Sequence, residues 1–544
     1  MKTFLADNKR RIGYSVTFSL ILSICLVLGF WLEKNGSVPY NSVFLYLSFV
    51  LVAAVLSVIS FFLFGKENPI NDNSESATAK VGSSFVTVSF FVILGVWLVC
   101  LLAVFPGYYS CDAPEQYEMY HESMVTAHHP VLHTYLVGFL VELSLTLFKT
   151  TAYGSAAYCI IQMIITDFAF CAVIKYGLKK KLPKLVLIIL LAWFALAPTN
   201  ILMVLSVTKD SLFAPFFLLF VLKTVDAVTD SSVFESKKDL FAWGASAFFS
   251  AHFRNNAIYV MIPFLLFLVF YFRNRKSTVL FVSVLLAIVV FQGPIVNLMT
   301  VKGVDGKEYL STPVQQVLRV YFLHGEEIEQ SDREFVEYLF SGGAEEYENK
   351  ALLRYYAKIS DYGKWGLNRN KFEESKTEAV DLWKKWALEY PEEYVDAFFM
   401  LNYGFWYPFS TLVLYANETE GYFICRAWEP VYEEYKIPRL GELLRHFEYS
   451  SLVCNKPVTM WLFAPATYFY IMLFVFLKCL YLRRREFIAF IPALLVWLTF
   501  LLGPVALVRY VGFIYYMVPL EICLIYAGHK TLTKVLPSVN FSGR

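Results

Sequence analysis

The stretch 105–130, FPGYYSCDAPEQYEMYHESMVTAHHP, sets two acids (Asp112, Glu115), an amide (Gln116) and a His-His-Pro run (His128, His129, Pro130) directly after an apolar segment, 85–105. That segment is long enough to cross a bilayer. Ionisable groups held at the mouth of a membrane helix are costly there, and they mark a site more often than a packing detail. The plainer alternative is a solvated loop joining two helices.

Outward from this loop the chain is apolar almost throughout. Of its 544 residues 57% are hydrophobic and 18% aromatic, and the mean hydropathy is +0.52. Apolar runs fall at 12–33, 42–64, 85–105, 131–148, 153–174, 185–207, 211–224, 240–253, 257–272, 278–299, 457–482, 487–507 and 510–528. So many runs near the length of a span specify an all-α polytopic membrane protein. The first follows Lys9, Arg10 and Arg11 without a small-residue cleavage site, so it reads as a retained span rather than a signal peptide. A net charge of +2 argues against a nucleic-acid partner. Nine scattered cysteines lack any CxxC or Cys/His ligand spacing and signal neither zinc nor a disulfide framework. With no Walker loop or dinucleotide fingerprint, the chain does not read as an ATP-driven pump.

Basic clusters mark cytoplasmic ends. Here they are Lys9 with Arg10 and Arg11, Lys175 with Lys179, Lys180 and Lys181, Lys237 with Lys238, Arg273 with Arg275 and Lys276, Arg483 with Arg484 and Arg485, and Lys530 with Lys534. With the N-terminus inside, Asp112 lies outside and Lys179 inside, so an odd number of crossings separates them. Two apolar runs intervene, and one of them does not cross. The run 131–148 carries His133 and, mid-segment, Glu142; a charge at the bilayer centre costs about 2.5–3.5 kcal/mol on insertion scales. It is therefore read as a helix lying in the outer interface or re-entering. Every remaining basic cluster then falls inside, giving about 12 transmembrane helices (roughly 11 to 13) with both termini cytoplasmic. The short runs 240–253 and 257–272 read as a broken pair around Arg254 and Asn255.

Four regions follow: a two-span N-terminal extension with a cytoplasmic linker (1–84), a transmembrane core carrying the external loop 106–130 (85–300), an external insertion (301–456) and a three-span C-terminal segment (457–544). The insertion holds 27 acids against 18 bases, leaving 18 acids and 29 bases elsewhere, as expected if long translocated regions escape the positive-inside bias. Apolar spacings of three and four predict helices over 332–340, 345–360 and 371–390. Its aromatic residues (Trp365, Trp383, Trp386, Trp406, Tyr407, Trp428) suit a small core with an interfacial belt, or the stacking of sugar rings.

This topology gathers isolated polar groups at the outer face. They are Asp112, Glu115, Gln116 and His129, then Lys209 and Asp210 after Thr208, Arg254 and Asn255 at the broken pair, Gln315, Gln316 and Arg319 after the ninth span, and Arg509 with Tyr510 between the last two spans. Carboxylates and cations at one depth suit an anion-handling site: a carboxylate takes a proton from a hydroxyl, and arginines hold a phosphate in bidentate fashion. Each group also has a plain alternative. Lys209 and Asp210 could form a turn, Arg254 could snorkel, Arg509 could anchor the interface, and Pro130 could start a helix. Adjacent His128 and His129 diverge by about 100° on a helix, a weak metal signal.

These residues resemble the membrane glycosyltransferases of the GT-C fold class, which have about a dozen spans, an essential acid in the first large external loop, and an interfacial helix introduced by a His-Pro-like motif. Asp112 matches the acid and His129-Pro130 the helix start, while Thr208-Lys209-Asp210 resembles the second external motif. The likeness runs from about 86 to 271. The chain is also similar to a group of uncharacterised bacterial membrane proteins with a Pro-Gly…Asp…Gln loop, a Lys-Asp pair and a Gln-Gln…Arg run. It departs from the class in having two spans before the one that leads into the acidic loop, no Asp-x-Asp and no WWDYG-like run. The resemblance implies transfer of a sugar from a polyprenyl-phosphate donor to a glycan, lipid or protein acceptor at the outer face of a bacterial plasma membrane. Asp112 would be the base of an inverting displacement. Lys209, Arg254 or Arg509 would stabilise the phosphate, with Glu115, Gln116, His129, Asp210, Asn255, Gln316, Arg319 and Tyr510 lining the site. No cofactor is required; Asp112, Glu115 or Asp210 could supply oxygens to a divalent cation such as magnesium or manganese. The competing readings are a transporter or flippase for a lipid-linked or anionic solute, favoured if Glu142, Asp167 and Glu521 line a pore, and a polysaccharide polymerase or ligase.

Overall fold

An apolar segment in lipid must satisfy its own backbone amides, so it folds as a helix. The computed structural model describes residues 2–65, 78–109, 112–301, 309–341, 353–411, 436–449 and 460–526, and among them the only regular elements are helices. In order they begin α1 (Lys2–Asn35), α2 (Val43–Gly65), α3 (Thr78–Ala103), α4 (Asp112–His121), α5 (Val131–Phe148), α6 (Ala152–Lys179), α7 (Lys184–Leu196), α8 (Pro198–Val204), α9 (Lys209–Thr229), α10 (Lys237–His252), α11 (Ile258–Phe272) and α12 (Arg275–Val290). The insertion follows, and then Pro465–Tyr481, Phe487–Phe500 and Gly512–Tyr526.

Nine helices among the described residues are long and apolar enough to cross a membrane, or ten if α7 and α8, bent by 46°, form one broken span. The chain is an integral membrane protein. The nine or ten fall short of the expected count of about 12, and prolines explain part of the gap. Ala197 precedes Pro198 and Ala464 precedes Pro465, and both alanines are extended (φ −61°, ψ 124° and φ −67°, ψ 126°), as the clash with a following proline ring demands. The runs 185–207 and 457–482 are thereby split. The run 487–507 stops as a helix at Phe500, ahead of Gly503 and Pro504.

Two further expectations need correction. Residues 353–360, the described part of the helix expected over 345–360, are turn and coil. The helix expected over 371–390 is interrupted at Ser375, between Arg369–Glu374 and Lys376–Glu389. Cys425, Trp428 and Cys454 lie outside the described residues.

The helix expected over 131–148 forms with those bounds as α5. It has the length and composition of a span and packs on α6, where a Cβ at Gly154 would meet Leu140 O and Val141 Cα and where His133 Nε2 lies 2.7 Å from Tyr158 Oη. Helix α4, unexpected inside the loop 106–130, lies along α5. Tyr117 donates to Glu142 Oε2 (2.9 Å), and His121 Nδ1 sits 3.0 Å from the same oxygen. Glu142 thus pairs with polar groups of α4.

The innermost spans are α6, α9 and the last one, Val508–Tyr526, with 61%, 72% and 83% of their central windows buried, against 17% for α2. Large aromatics fill the space between helices: Phe170 of α6 stacks on Phe194 of α7 at 3.9 Å, and Phe469 on Trp497 at 3.8 Å. The described part of the insertion has its own small core around Leu318, Val336 and Trp386. It docks on the corner between α1 and α2, where Asp396 accepts from Val38 N (3.0 Å) and Tyr40 Oη (2.7 Å).

Single cysteines at the exposed positions Glu122 and Lys181 bracket α5 and α6. An impermeant thiol reagent applied to intact cells is expected to label Glu122→Cys and spare Lys181→Cys; labelling of both would make α5 a full crossing.

Candidate functional site

The turn after α3 carries Asp112 toward α9 through backbone pairing. Tyr108 N donates to Leu205 O (2.7 Å) and Val207 N to Tyr108 O (2.9 Å), a short parallel bridge. Gly107 makes this approach possible. Its φ of +94° is one that side chains avoid, and a Cβ there would lie 2.7 Å from Cys159 Sγ and 2.8 Å from Leu205 O. Thr208 then caps α9, its hydroxyl accepting from Asp210 N (3.1 Å).

These two chain turns bring acids and cations into one cluster. Lys209 Nζ and Arg509 Nη1 both donate to Asp112 Oδ2, each at 3.0 Å. Arg254 pairs with Asp210, and Arg509 lies 3.6 Å from the same carboxylate. The guanidinium of Arg254 stands over the rings of Phe500 (4.3 Å) and Tyr510 (4.7 Å), cation–π contacts that stiffen it in a desolvated place. Lys209 also donates to His129 Nδ1 (3.0 Å), and His129 Nε2 sits 3.3 Å from Glu115 Oε2. Asp112, Glu115, His129, Lys209, Asp210, Arg254, Arg509 and Tyr510 therefore share one site, built from the mouths of α4, α9 and the innermost last span.

The other named residues lie elsewhere. Asn255 donates to Ala127 O (3.2 Å) and His128 O (3.1 Å), fixing the loop that carries His129. Gln116 is fully buried against α5, bonded to Thr134 (3.1 Å) and His133 (2.9 Å). Gln316 and Arg319 belong to the insertion. Gln316 donates to Tyr394 O (3.1 Å) and accepts from Trp383 Nε1 (2.9 Å), and Arg319 is buried against Glu393 (2.6 Å) and Asp396 (3.6 Å). Gln316 and Arg319 hold the insertion together and stand apart from the Asp112 cluster, which corrects their expected part in the site. Trp383, Trp386 and Trp406 likewise spend their indole N–H groups on internal partners.

A supporting network is also present that motif reading missed. His133 Nε2 is 2.7 Å from Tyr158 Oη, which donates to Thr208 O at 3.0 Å, next to Lys209. Gln162 Nε2 donates to Val204 O (2.6 Å) and Ser206 O (2.9 Å). Lone amides and hydroxyls inside apolar runs were the available signal.

Burial alone would push the Asp112 carboxyl up, but the Arg509 and Lys209 charges outweigh it and hold it well below the usual carboxylate range. Burial, then the Lys209 charge, push the His129 imidazole down, so the ring is neutral. Because Lys209 can only donate, Nδ1 is the bare nitrogen and Nε2 carries the ring proton. This bears on metals. Glu115, His128 and His129 offer ligand atoms within 4.8 Å of one another, and a His129 ligating through Nε2 would have to carry its ring proton on Nδ1, which here faces Lys209. A divalent cation between Asp112 and Asp210 would enter among Lys209, Arg254 and Arg509.

Residues 119–532 match the family of unknown function DUF6020. The chain belongs to that family. The match takes in α5 through the last span, and with them His129, Lys209, Asp210, Arg254 and Arg509. No curated protein and no solved structure matches the chain.

Gly107→Ala is expected to cost about 1–3 kcal/mol in unfolding free energy. Thermal unfolding in detergent measures it against Gly95→Ala, where a Cβ would meet nothing within 4 Å; equal stability of the two variants would refute the close approach.

Proposed function

We propose that this protein is a membrane glycosyltransferase of GT-C type, with about a dozen spans, that moves a sugar from a polyprenyl-phosphate carrier to an acceptor hydroxyl at the outer face of a bacterial plasma membrane. The observation that carries the reading is the Asp112 carboxylate held 3.0 Å from both Lys209 and Arg509. Three cations (Lys209, Arg254, Arg509) meet half-buried Asp112 and buried Asp210, with exposed Glu115 behind His129, so an incoming anion would compete with carboxylates for the two guanidinium groups. A phosphate oxygen is a better partner for Arg254 and Arg509 than a carboxylate already shared, since guanidinium groups grip phosphate in bidentate fashion.

The chemistry follows from that exchange. As the donor phosphate takes over the cations, Asp112 loses the charges that depress it, and its pKa rises toward the range of a useful base. In an inverting displacement, base and leaving group lie on opposite sides of the anomeric carbon, so the sugar must enter between Asp112 and the Arg254–Arg509 pair. The Asp112–Arg509 contact is therefore the one that opens. Acceptor oxygen attacks, the bond to phosphate breaks, and the hydroxyl proton passes to Asp112. Three donors stabilise the departing charge in a water-poor setting.

A second reading, transport of a lipid-linked or anionic solute, has one observation in its favour. Glu521 is fully buried in the innermost span, and neither carboxyl oxygen has a hydrogen-bond partner among the described residues; such groups commonly belong to ion or proton pathways. One experiment separates the two. In proteoliposomes supplied with polyprenyl-phosphate hexoses, Asp112→Asn is expected to lower sugar transfer by about 10²–10⁴-fold while membrane insertion is kept, and Glu521→Gln to retain it. Full transfer by Asp112→Asn would sink the transferase assignment.

A further inference from the structure

Once Asp112 has taken a proton from the acceptor it must lose it before the next turnover, yet its side chain is only 16% exposed and faces two cations. Among the described residues, a chain of contacts leads from it to water. Lys209 Nζ touches Asp112 Oδ2 and His129 Nδ1, each at 3.0 Å, and His129 Nε2 faces Glu115 Oε2 at 3.3 Å. The His129 side chain is 4% exposed and its Nε2 has no well-aligned acceptor, whereas the Glu115 side chain is 52% exposed. The last link is therefore the loosest, and it is made by the one group free to swing between protein and solvent. The ring is otherwise surrounded by His128 at 4.6 Å and by a small cavity shared with His252, Asn255 and Gln292.

We infer that Lys209, His129 and Glu115 form the route by which a proton taken up by Asp112 leaves the site. The inference rests on the transferase reading above, and it assigns Glu115 and His129 a role that does not require contact with substrate. Lys209 passes a proton to Nδ1 of His129 as His129 passes its Nε2 proton to Glu115. Asp112 then restores the proton of Lys209, and Glu115 releases its own to external water. The proton that broke from the acceptor oxygen is matched by one delivered to solvent. The tautomer is reset when the ring swings toward solvent, where water takes the Nδ1 proton and returns one to Nε2, with no net change in protons. The ring itself never needs to carry a charge at rest, consistent with its burial beside an ammonium.

Two measurements test the route. The first needs no substrate. Nitrogen NMR of histidine-labelled protein, assigned with His129→Gln, is expected to find the His129 proton on Nε2 at pH 7; a proton on Nδ1 overturns the relay. The second uses kinetics with a transfer-competent wild type. Glu115→Gln and His129→Gln are expected to lower kcat on the order of tenfold each with KM unchanged, to enlarge the solvent deuterium isotope effect, and to fall no further in combination, because both interrupt one chain. Glu115→Asp is expected to recover most of the rate. Wild-type kcat in Glu115→Gln, or additive losses in the double variant, overturns the relay. A wild type that transfers no sugar would remove the functional reading instead, and the NMR result would still decide how these groups share their protons.

Discussion

A single carboxylate joins the two ends of this molecule. Asp112 accepts from Lys209 and from Arg509, 397 positions away in the chain. A carboxylate and two cations withdrawn from water are costly apart, and removing one partner from a buried group of this kind costs about 3–5 kcal/mol. The turn after α3, the start of α9 and the entry to the last span are therefore constrained to meet. The Tyr108–Ser206 bridge, the Thr208 cap and the Tyr158 hydrogen bond to Thr208 O serve that meeting.

Buried ion clusters are poor devices for stability alone, because well-packed apolar residues of similar volume commonly do as well or better. Their place at the ends of α9 and the last span, the two most buried spans among the described residues, points to chemistry rather than to packing. The distribution of roles agrees. Directly charged groups sit on chain turns, while the residues that aim them, such as Asn255, Tyr158 and Gln162, lie on or beside helices held by large aromatic contacts. A rigid bundle with charged termini at one end is a natural way to hold several groups within tenths of an ångström.

Much of the site was legible in the sequence because charges interrupting apolar runs are rare and therefore conspicuous. Asp112, Lys209, Arg254 and Arg509 were found that way, and they do come together. Gln316 and Arg319 look the same in one dimension but sit on the amphipathic helix Ser311–Leu323 of the insertion, where polar groups knit a small water-exposed fold. A lone charge says that it needs a partner, and nothing in the linear order says which one. The fold was legible to the same degree. Helix α5 formed with its expected bounds, whereas Ala197–Pro198 and Ala464–Pro465 split runs whose apolar composition alone looked continuous. Hydropathy sums over a window and hides the one residue whose ring forbids the next turn. Helix α4 was missed because its ten residues are too polar and too short to show a periodicity of their own.

The order in which the cluster is completed has its own consequence. As the chain is made, Asp112 can pair with Lys209, and Asp210 with Arg254, before Arg509 is reached. Arg509 comes last, and it contacts both carboxylates. The link between the two pairs is thus a property of the finished bundle and absent from its precursors. A nascent or shortened chain would hold two separate ion pairs where the complete one holds a single network.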